Sequence, residues 1–465
     1  MSRPERYTLV GSGLVGSLMA LFLARRGAEV RVLERRPDLR KERIRAGRSI
    51  NLAISVRGLY ALGQVGLAER ALEHAIPMRG RAIHPLDGPL AFQPYGKDDS
   101  QCIHSISRGW LNGMLMSEAE ATGRVQLAFH TRVTALDVAS GRVTALDERD
   151  GRQQQLSGAA VVGTDGAGSL VREAVVAAEG GSSSEERLQH GYKELTLPAG
   201  PGGRFALEKH ALHIWPRRDF MLIALPNLDG SFTCTLFLRF EGNPSFASLT
   251  SPEAVRAFFL AHFPDALPLL PDLERQFFDN PTGSMVTVKC WPWTAESRAL
   301  LLGDAAHAIV PFFGQGMNCG FEDCVVLDDV LRTGGDVGAA FAEFARLRKP
   351  NADAIADMAV ENFVEMRDSV ADARFLLEKA IERRLLNAFP GAFLSRYALV
   401  TFSRAPYRLA YDVGRVASAL VSELADGVQS AADVDLEAAR RLVDTRLAPL
   451  VRQLPDAASG ERRPA

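Results

Sequence analysis

Between residues 7 and 34, apolar positions form a continuous run, then recur at helical spacing, then form a run again. These segments are Tyr7–Val10, the stretch from Leu14 to Leu23, and Ala28–Leu33. Short unbroken apolar runs suit strands buried on both faces, so the chain opens with a strand–turn–helix–strand unit of a doubly wound sheet. Helical periodicity returns at 57–75 and 108–122, and strands are expected at 125–138 and 141–151. From about residue 185 to 290 the pattern turns to alternating, β-rich runs, as in 210–217, 219–227 and 231–240. These predict an antiparallel sheet with one face covered. An apolar strand at Arg298–Leu302, a loop and a helix follow, so this distant segment is expected to complete the first domain. The expected division is α/β: residues 1–184 and 296–336 form one discontinuous Rossmann-like domain, 185–295 a β-rich domain, and 337–465 a helical region ending in a polar tail.

A chain of 465 residues exceeds what one core usually serves, in line with two domains and an appendage. Its 54 basic and 56 acidic residues nearly balance, which leaves no basic stripe for nucleic acid. The five cysteines are scattered without paired metal or redox spacing. Reduced, buried thiols and no metal site are expected. The N-terminus enters a strand almost at once, with no apolar leader before it, and the segment after residue 405 is amphipathic but too polar to span a bilayer. A cytoplasmic location is the resulting expectation; the oligomeric state is left open.

Candidate chemistry begins at Gly11-Ser-Gly13-Leu-Val15-Gly16, between the first strand and the first helix. Missing side chains there permit a tight turn, close backbone approach and helix packing, while the helix N-terminus faces a pyrophosphate. Glu34 follows Gly16 by eighteen residues at the end of the second strand, placed to accept ribose hydroxyls, with Arg35 beside it. An acid here disfavours a 2′-phosphate, leaving FAD or NAD.

The choice between them rests on Gly303-Asp304, at the end of an apolar strand, and the loop Gly314-Gln315-Gly316-Met317-Asn318. This pair of motifs resembles the group A flavoprotein monooxygenases. That resemblance implies that Asp304 binds hydroxyls of FAD and that the loop passes close to the flavin ring, its helix N-terminus stabilising charge on reduced flavin. Asp165, in Gly163-Thr-Asp165-Gly166, resembles a third signature of the family, and Arg108 its helix arginine beside the cofactor. His307 is read as a packing or hydrogen-bonding residue. No attachment motif flanks the loop, so FAD is expected to be non-covalent.

Within that family, residues 7–410 resemble the branch that hydroxylates L-kynurenine. The resemblance is carried by Pro77-Met-Arg-Gly-Arg81-Ala-Ile-His84, Pro94-Tyr95-Gly96, Val310–Asn318, Asn362-Phe-Val-Glu-Met366-Arg and Tyr397–Phe402. It implies that Arg81, Tyr95, Asn362 and Tyr397 hold the amino-acid end of the substrate, while Phe312 and Met366 line the aromatic pocket. The reaction implied is insertion of one atom of O₂ into the ring to give 3-hydroxy-L-kynurenine, with NADPH as reductant, through a C4a-hydroperoxyflavin. Flavin carries the chemistry, and no catalytic side chain is expected, because the substrate's amine already activates the ring. Two alternatives stay open: a phenolic-acid hydroxylase of the same fold, using Arg81 for a benzoate, and a flavin-binding protein without turnover.

Overall fold

The computed structural model describes residues 5–41, 51–96, 101–157, 159–368 and 373–454. The opening unit forms as expected: strand Arg6–Val10, helix Leu14–Arg25 and strand Glu29–Leu33. These strands lie in a six-stranded sheet in the order 294–295, 299–301, 160–163, 6–10, 29–33, 125–128. All its pairings are parallel except that of the first two. Ala299–Leu301 comes from beyond the second sheet and pairs with Ala160–Gly163. Leu9, Val32, Val162 and Leu300 are fully buried, as a parallel sheet covered on both faces requires.

The second sheet has seven strands, in the order 282–291, 182–197, 232–239, 220–226, 211–217, 80–83, 91–94. Its last two strands were expected in the first domain. Gly80–Ile83 instead runs parallel to Ala211–Ile214 and antiparallel to Ala91–Pro94. A four-residue strand carries little periodic signal, so its partner is decided by tertiary packing. Glycine is needed at its start, since a Cβ on Gly80 would stand 2.4 Å from the Gln93 carbonyl oxygen. Alternation turns Ala82 and His84 toward one face and Arg81 toward the other.

The expectation of one covered face also needs correcting. Helices Pro252–His262 and Leu273–Asp279 cover one side, where Phe259, Phe263 and Phe277 pack on Trp215, Leu222 and Leu236. On the other side Met221 and Phe237 share a core with Val310, Phe313, Met358 and Leu399. Arg81 opens onto this second face, beneath the C-terminal helices Val337–Asp368, Arg396–Phe402 and Tyr407–Leu424. The last of these buries Tyr407, Ala410, Val413, Gly414, Ala417, Leu420 and Val421, one stripe of an amphipathic helix.

A buried ionic chain ties these parts together. His307 Nε2 lies 2.6 Å from Asp323, and Arg348 donates to Asp323 at 2.7 Å and to Glu322 at 2.9 Å. Glu322 in turn accepts from Arg57 at 2.6 Å. Burial is the largest influence on Asp323 and would raise its carboxyl, but His307 and Arg348 outweigh it and hold the group below the usual range. Removing one partner strands its counter-charges in a dry interior. Arg348→Met is therefore expected to cost about 3–5 kcal/mol in urea denaturation of the FAD-free protein. A loss well under 1 kcal/mol would show that the chain is not a structural tie.

Candidate cofactor and substrate site

The first helix starts at Leu14 with Gly13 as N-cap, and Gly11 takes a φ of 100° that only glycine adopts readily. A Cβ on Gly16 would stand 2.2 Å from the Gly11 carbonyl oxygen, so helix and turn close on each other without room for a methyl group. Nothing lies within 4 Å of where a Cβ on Gly13 would sit, and the helix amides there face open space. Glu34 is buried and accepts from Ser12 N at 2.9 Å and from Arg36 Nε at 2.9 Å. Burial would raise its carboxyl, yet Arg36 and Ser12 keep it below the ordinary range and ionised. Arg36, exposed like Arg35, is the arginine bonded to this acid. Asn112, from the helix that starts at Arg108, donates to Ser12 O at 3.0 Å and braces the turn; Arg108 itself is exposed.

At the other end, Gly303 has a φ of 60° and turns the strand into a short helix that begins at Asp304. The Asp304 carboxylate is exposed and has no hydrogen-bond or ion-pair partner among the described residues. Val15 is wedged between Gly303 and Gly320, whose added Cβ atoms would meet it at 3.1 and 2.6 Å, so its side chain packs the two halves of the site together. Asp165 has a local duty: it accepts from Ser169 Oγ and, at 3.3 Å, from Val171 N, capping the helix Leu170–Ala178. Arg172 in that helix donates to Ala305 O at 3.2 Å and anchors the Asp304 turn from below.

The loop is closed by its own side chains. Gly314 is left-handed at φ 65°, and helix Gly316–Arg332 starts two residues later. Asn318 spends its amide on Ser55 N, Ala53 O and Gly314 O, each at 2.9 Å. Gln315 is buried and accepts from the Tyr407 hydroxyl at 2.8 Å. Met317 is half-buried against the core. The side chains of Gln315 and Asn318 thus brace the loop, and its main-chain amides are donors it can offer a ring.

Behind the loop, Arg81, Tyr95 and Tyr397 come together. The Tyr95 and Tyr397 rings stack at 5.5 Å, and the Arg81 guanidinium lies 5.5 and 4.9 Å from their centroids. Burial is the largest influence on Arg81 and lowers its pKa, but the two phenols offset it and the net shift is upward. Burial pushes the Tyr95 phenol well up. Arg81 Nε and the Tyr95 hydroxyl are buried without a partner in good hydrogen-bond geometry, although Arg81, Tyr95 and Tyr397 lie near enough to interact with one another. Two such atoms side by side mark a place where a polar ligand would complete the bonding. Phe312 stacks on Phe363 at 4.3 Å and meets Phe237 at 5.2 Å, forming an aromatic wall. Asn362 donates to Phe312 O at 2.8 Å, so it also ties the long helix to the loop. The side chain of Met366 lies outside the described residues.

Comparison with known proteins decides what this assembly belongs to. The chain is 61% identical over 455 residues to a kynurenine 3-monooxygenase of Myxococcus xanthus, covering 98% of each chain. It is 44% identical over 447 residues to the kynurenine 3-monooxygenase of a Xanthomonas oryzae strain, covering 96% of this chain and 98% of the relative. This chain belongs to the kynurenine 3-monooxygenase family. A family model described as FAD binding domain matches residues 7–333, which makes FAD the cofactor of this family member. The fold recurs in 2-methyl-3-hydroxypyridine-5-carboxylic acid oxygenase, at 20% identity with a TM-score of 0.65 over 81% of this chain and 96% of the other. It recurs also in Pseudomonas aeruginosa PqsL, at 19% identity with a TM-score of 0.64 over 79% of this chain and 97% of the other.

The residues present fit FAD: a glycine turn closed to a Cβ at Gly11 and Gly16 and open at Gly13, an ionised acid at the second strand, an unpartnered carboxylate at Asp304 and a loop braced by the side chains of Gln315 and Asn318. They do not favour a metal. His307, Cys319 and Asp323 bring possible ligand atoms within 4.8 Å of one another, but the Arg348 guanidinium already bonds Asp323 and the Cys319 carbonyl. A cation there would meet a fixed positive charge. Because Asp304 supports no other part of this family member, Asp304→Ala should weaken FAD binding by roughly 1.5–3 kcal/mol, about ten- to a hundredfold, and leave the melting temperature of FAD-free protein unchanged. Unchanged FAD affinity in a flavin fluorescence titration would remove Asp304 from the cofactor site.

Proposed function

We propose that this chain converts L-kynurenine, O₂, NADPH and a proton into 3-hydroxy-L-kynurenine, NADP⁺ and water, with Arg81 as the anchor of the substrate's carboxylate. The observation that carries the reading is the half-buried Arg81–Tyr95–Tyr397 group, whose Arg81 Nε and Tyr95 hydroxyl are shielded from solvent without a well-formed hydrogen bond, beside an aromatic wall and next to the flavin loop. A guanidinium paired with phenol donors in a dry site suits an α-carboxylate. Phe312, with Met366 from the long helix, would hold the ring, and Asn362 would orient the polar end. The two alternatives, a phenolic-acid hydroxylase and a flavin carrier, have no counterpart among the named relatives.

FAD, when bound, takes reducing equivalents from NADPH and activates O₂. The protein's own part is positional. The Gly11–Gly16 turn and Glu34 fix the adenosine end, Asp304 the middle, and the amides from Gly314 to Asn318 the ring edge. Arg81, Tyr95 and Tyr397 hold the carboxylate, so that the carbon next to the amine-bearing carbon faces the oxygen donor. Phe237, Phe312 and Phe363 exclude water, which would divert the oxidant. No side chain is asked to remove a ring proton before attack, since the amine supplies electron density.

Among the described residues, no helix is long and apolar enough to cross a membrane. We place the reaction in the cytoplasm, where NADPH is supplied; all five cysteines are free thiols.

Arg81→Met should lower kcat/KM for L-kynurenine by roughly 2–4 kcal/mol, a factor of about 30 to 900, with FAD binding intact. Decarboxylated kynurenine should be a poor substrate of the parent and lose little more in the variant. An equal penalty for both compounds, or loss of FAD, would make Arg81 a structural residue.

A further inference from the structure

Tyr407 is fully buried, and no part of the chemistry so far uses it. Its hydroxyl holds the side-chain oxygen of Gln315, the residue between the two loop glycines, at 2.8 Å. Its ring rests on the Arg57 guanidinium, 3.9 Å from the centroid. Arg57 has no freedom left: it donates to Val400 O at 3.2 Å, to Ala405 O, and to Glu322 at 2.6 Å. Val400 sits three residues after Tyr397 in the helix Arg396–Phe402. The Tyr397 ring in turn stacks on Phe313, just before Gly314, at 5.8 Å.

The helix bearing the substrate tyrosine therefore grips the flavin loop at two points. Tyr397 presses on Phe313, and Arg57, fixed to that helix at Val400, carries Tyr407 onto Gln315. A ligand that re-aims Tyr397 must shift the helix, and the dry, fully bonded Arg57–Tyr407 pair transmits the shift as a rigid piece instead of absorbing it.

We propose that Tyr407, seated on Arg57, is a positioning residue that couples occupancy of the Arg81–Tyr95–Tyr397 group to the conformation of the flavin loop. The inference rests on reading that group as the kynurenine site. Through Tyr407 the amides at the start of helix Gly316–Arg332 reach their working position when substrate is held. NADPH is then consumed productively only with kynurenine present.

Tyr407→Phe keeps the ring on Arg57 and deletes one hydrogen bond. In FAD-loaded protein the measurements are NADPH oxidation with and without L-kynurenine, peroxide formed per NADPH, and kynurenine affinity from calorimetry. The expected result is a drop of about two- to tenfold in the stimulation by kynurenine, with more peroxide, while FAD occupancy, melting temperature and kynurenine affinity stay near those of the parent. Gln315→Met removes the acceptor instead of the donor and should reproduce the drop, and the double variant should lose no more than either single. Parent-like stimulation and coupling in both variants would overturn the proposal. So would a loss of stimulation that merely follows lost FAD or kynurenine affinity, which marks a structural role. If the parent itself shows no stimulation by kynurenine, the proposed function fails first, and this inference with it.

Discussion

One buried chain of hydrogen-bonded polar and charged side chains, His307–Asp323–Arg348–Glu322–Arg57, sets the relation between the two halves of the site. Its members come from the turn after Gly303, the helix that starts in the flavin loop, the long C-terminal helix, and the helix Val56–Gln64. Asp323 also accepts from Gly303 N at 3.3 Å, next to Asp304. Taking these charges out of water is costly, and an apolar core of equal volume could match their stability. What such a core could not supply is direction. Asp323, Glu322, Arg348 and Arg57 are joined by directed hydrogen bonds, so the turn at Gly303, the loop helix and the Tyr397 helix are held in one mutual register.

The cofactor side and the substrate side are built on different principles. The cofactor side depends on absences: Gly11, Gly16, Gly303 and Gly320 stand where a Cβ would collide with a backbone or with Val15. The substrate side depends on polar groups left incomplete, as at Arg81 and Tyr95. The first arrangement lets a ligand's backbone-like groups come close. The second penalises an empty or mismatched site, because a buried donor without a partner costs free energy until the right ligand supplies one. Together they favour tight holding of the cofactor and selective acceptance of substrate.

Legibility in the sequence followed the range of each interaction. The opening unit was readable because its strands, turn and helix are contiguous and strongly periodic, and Gly303-Asp304 because a strand-end acid beside glycines is a local pattern. The assignment of His307 to hydrogen bonding also stands, with Asp323 as its partner. By contrast, Gly80–Ile83 is too short to announce the sheet it joins, and its partner strand lies more than a hundred residues away. The pairing of Arg36 with Glu34 was not foreseen, since spacing alone does not show which arginine turns back to an adjacent acid. Gln315 and Asn318 were placed in the cofactor loop by its glycines, but the bonds of their side chains to residues distant in the chain, Tyr407 and Ser55, carried no local signal. Arg57 and Tyr407 carried no motif at all. Their signal is the meeting of segments separated by 350 positions.

This site delivers one oxygen atom from O₂ to the ring of bound kynurenine. Turnover of FAD-loaded protein with NADPH and L-kynurenine under isotopically heavy O₂ in ordinary water tests it most directly, by the mass and ring-substitution pattern of the product. The expected product is 3-hydroxy-L-kynurenine carrying one heavy oxygen on the ring, formed in near-equal amount to the NADPH consumed. A hydroxylated product without the label, or NADPH consumption that yields only peroxide while kynurenine is recovered unchanged, would contradict it.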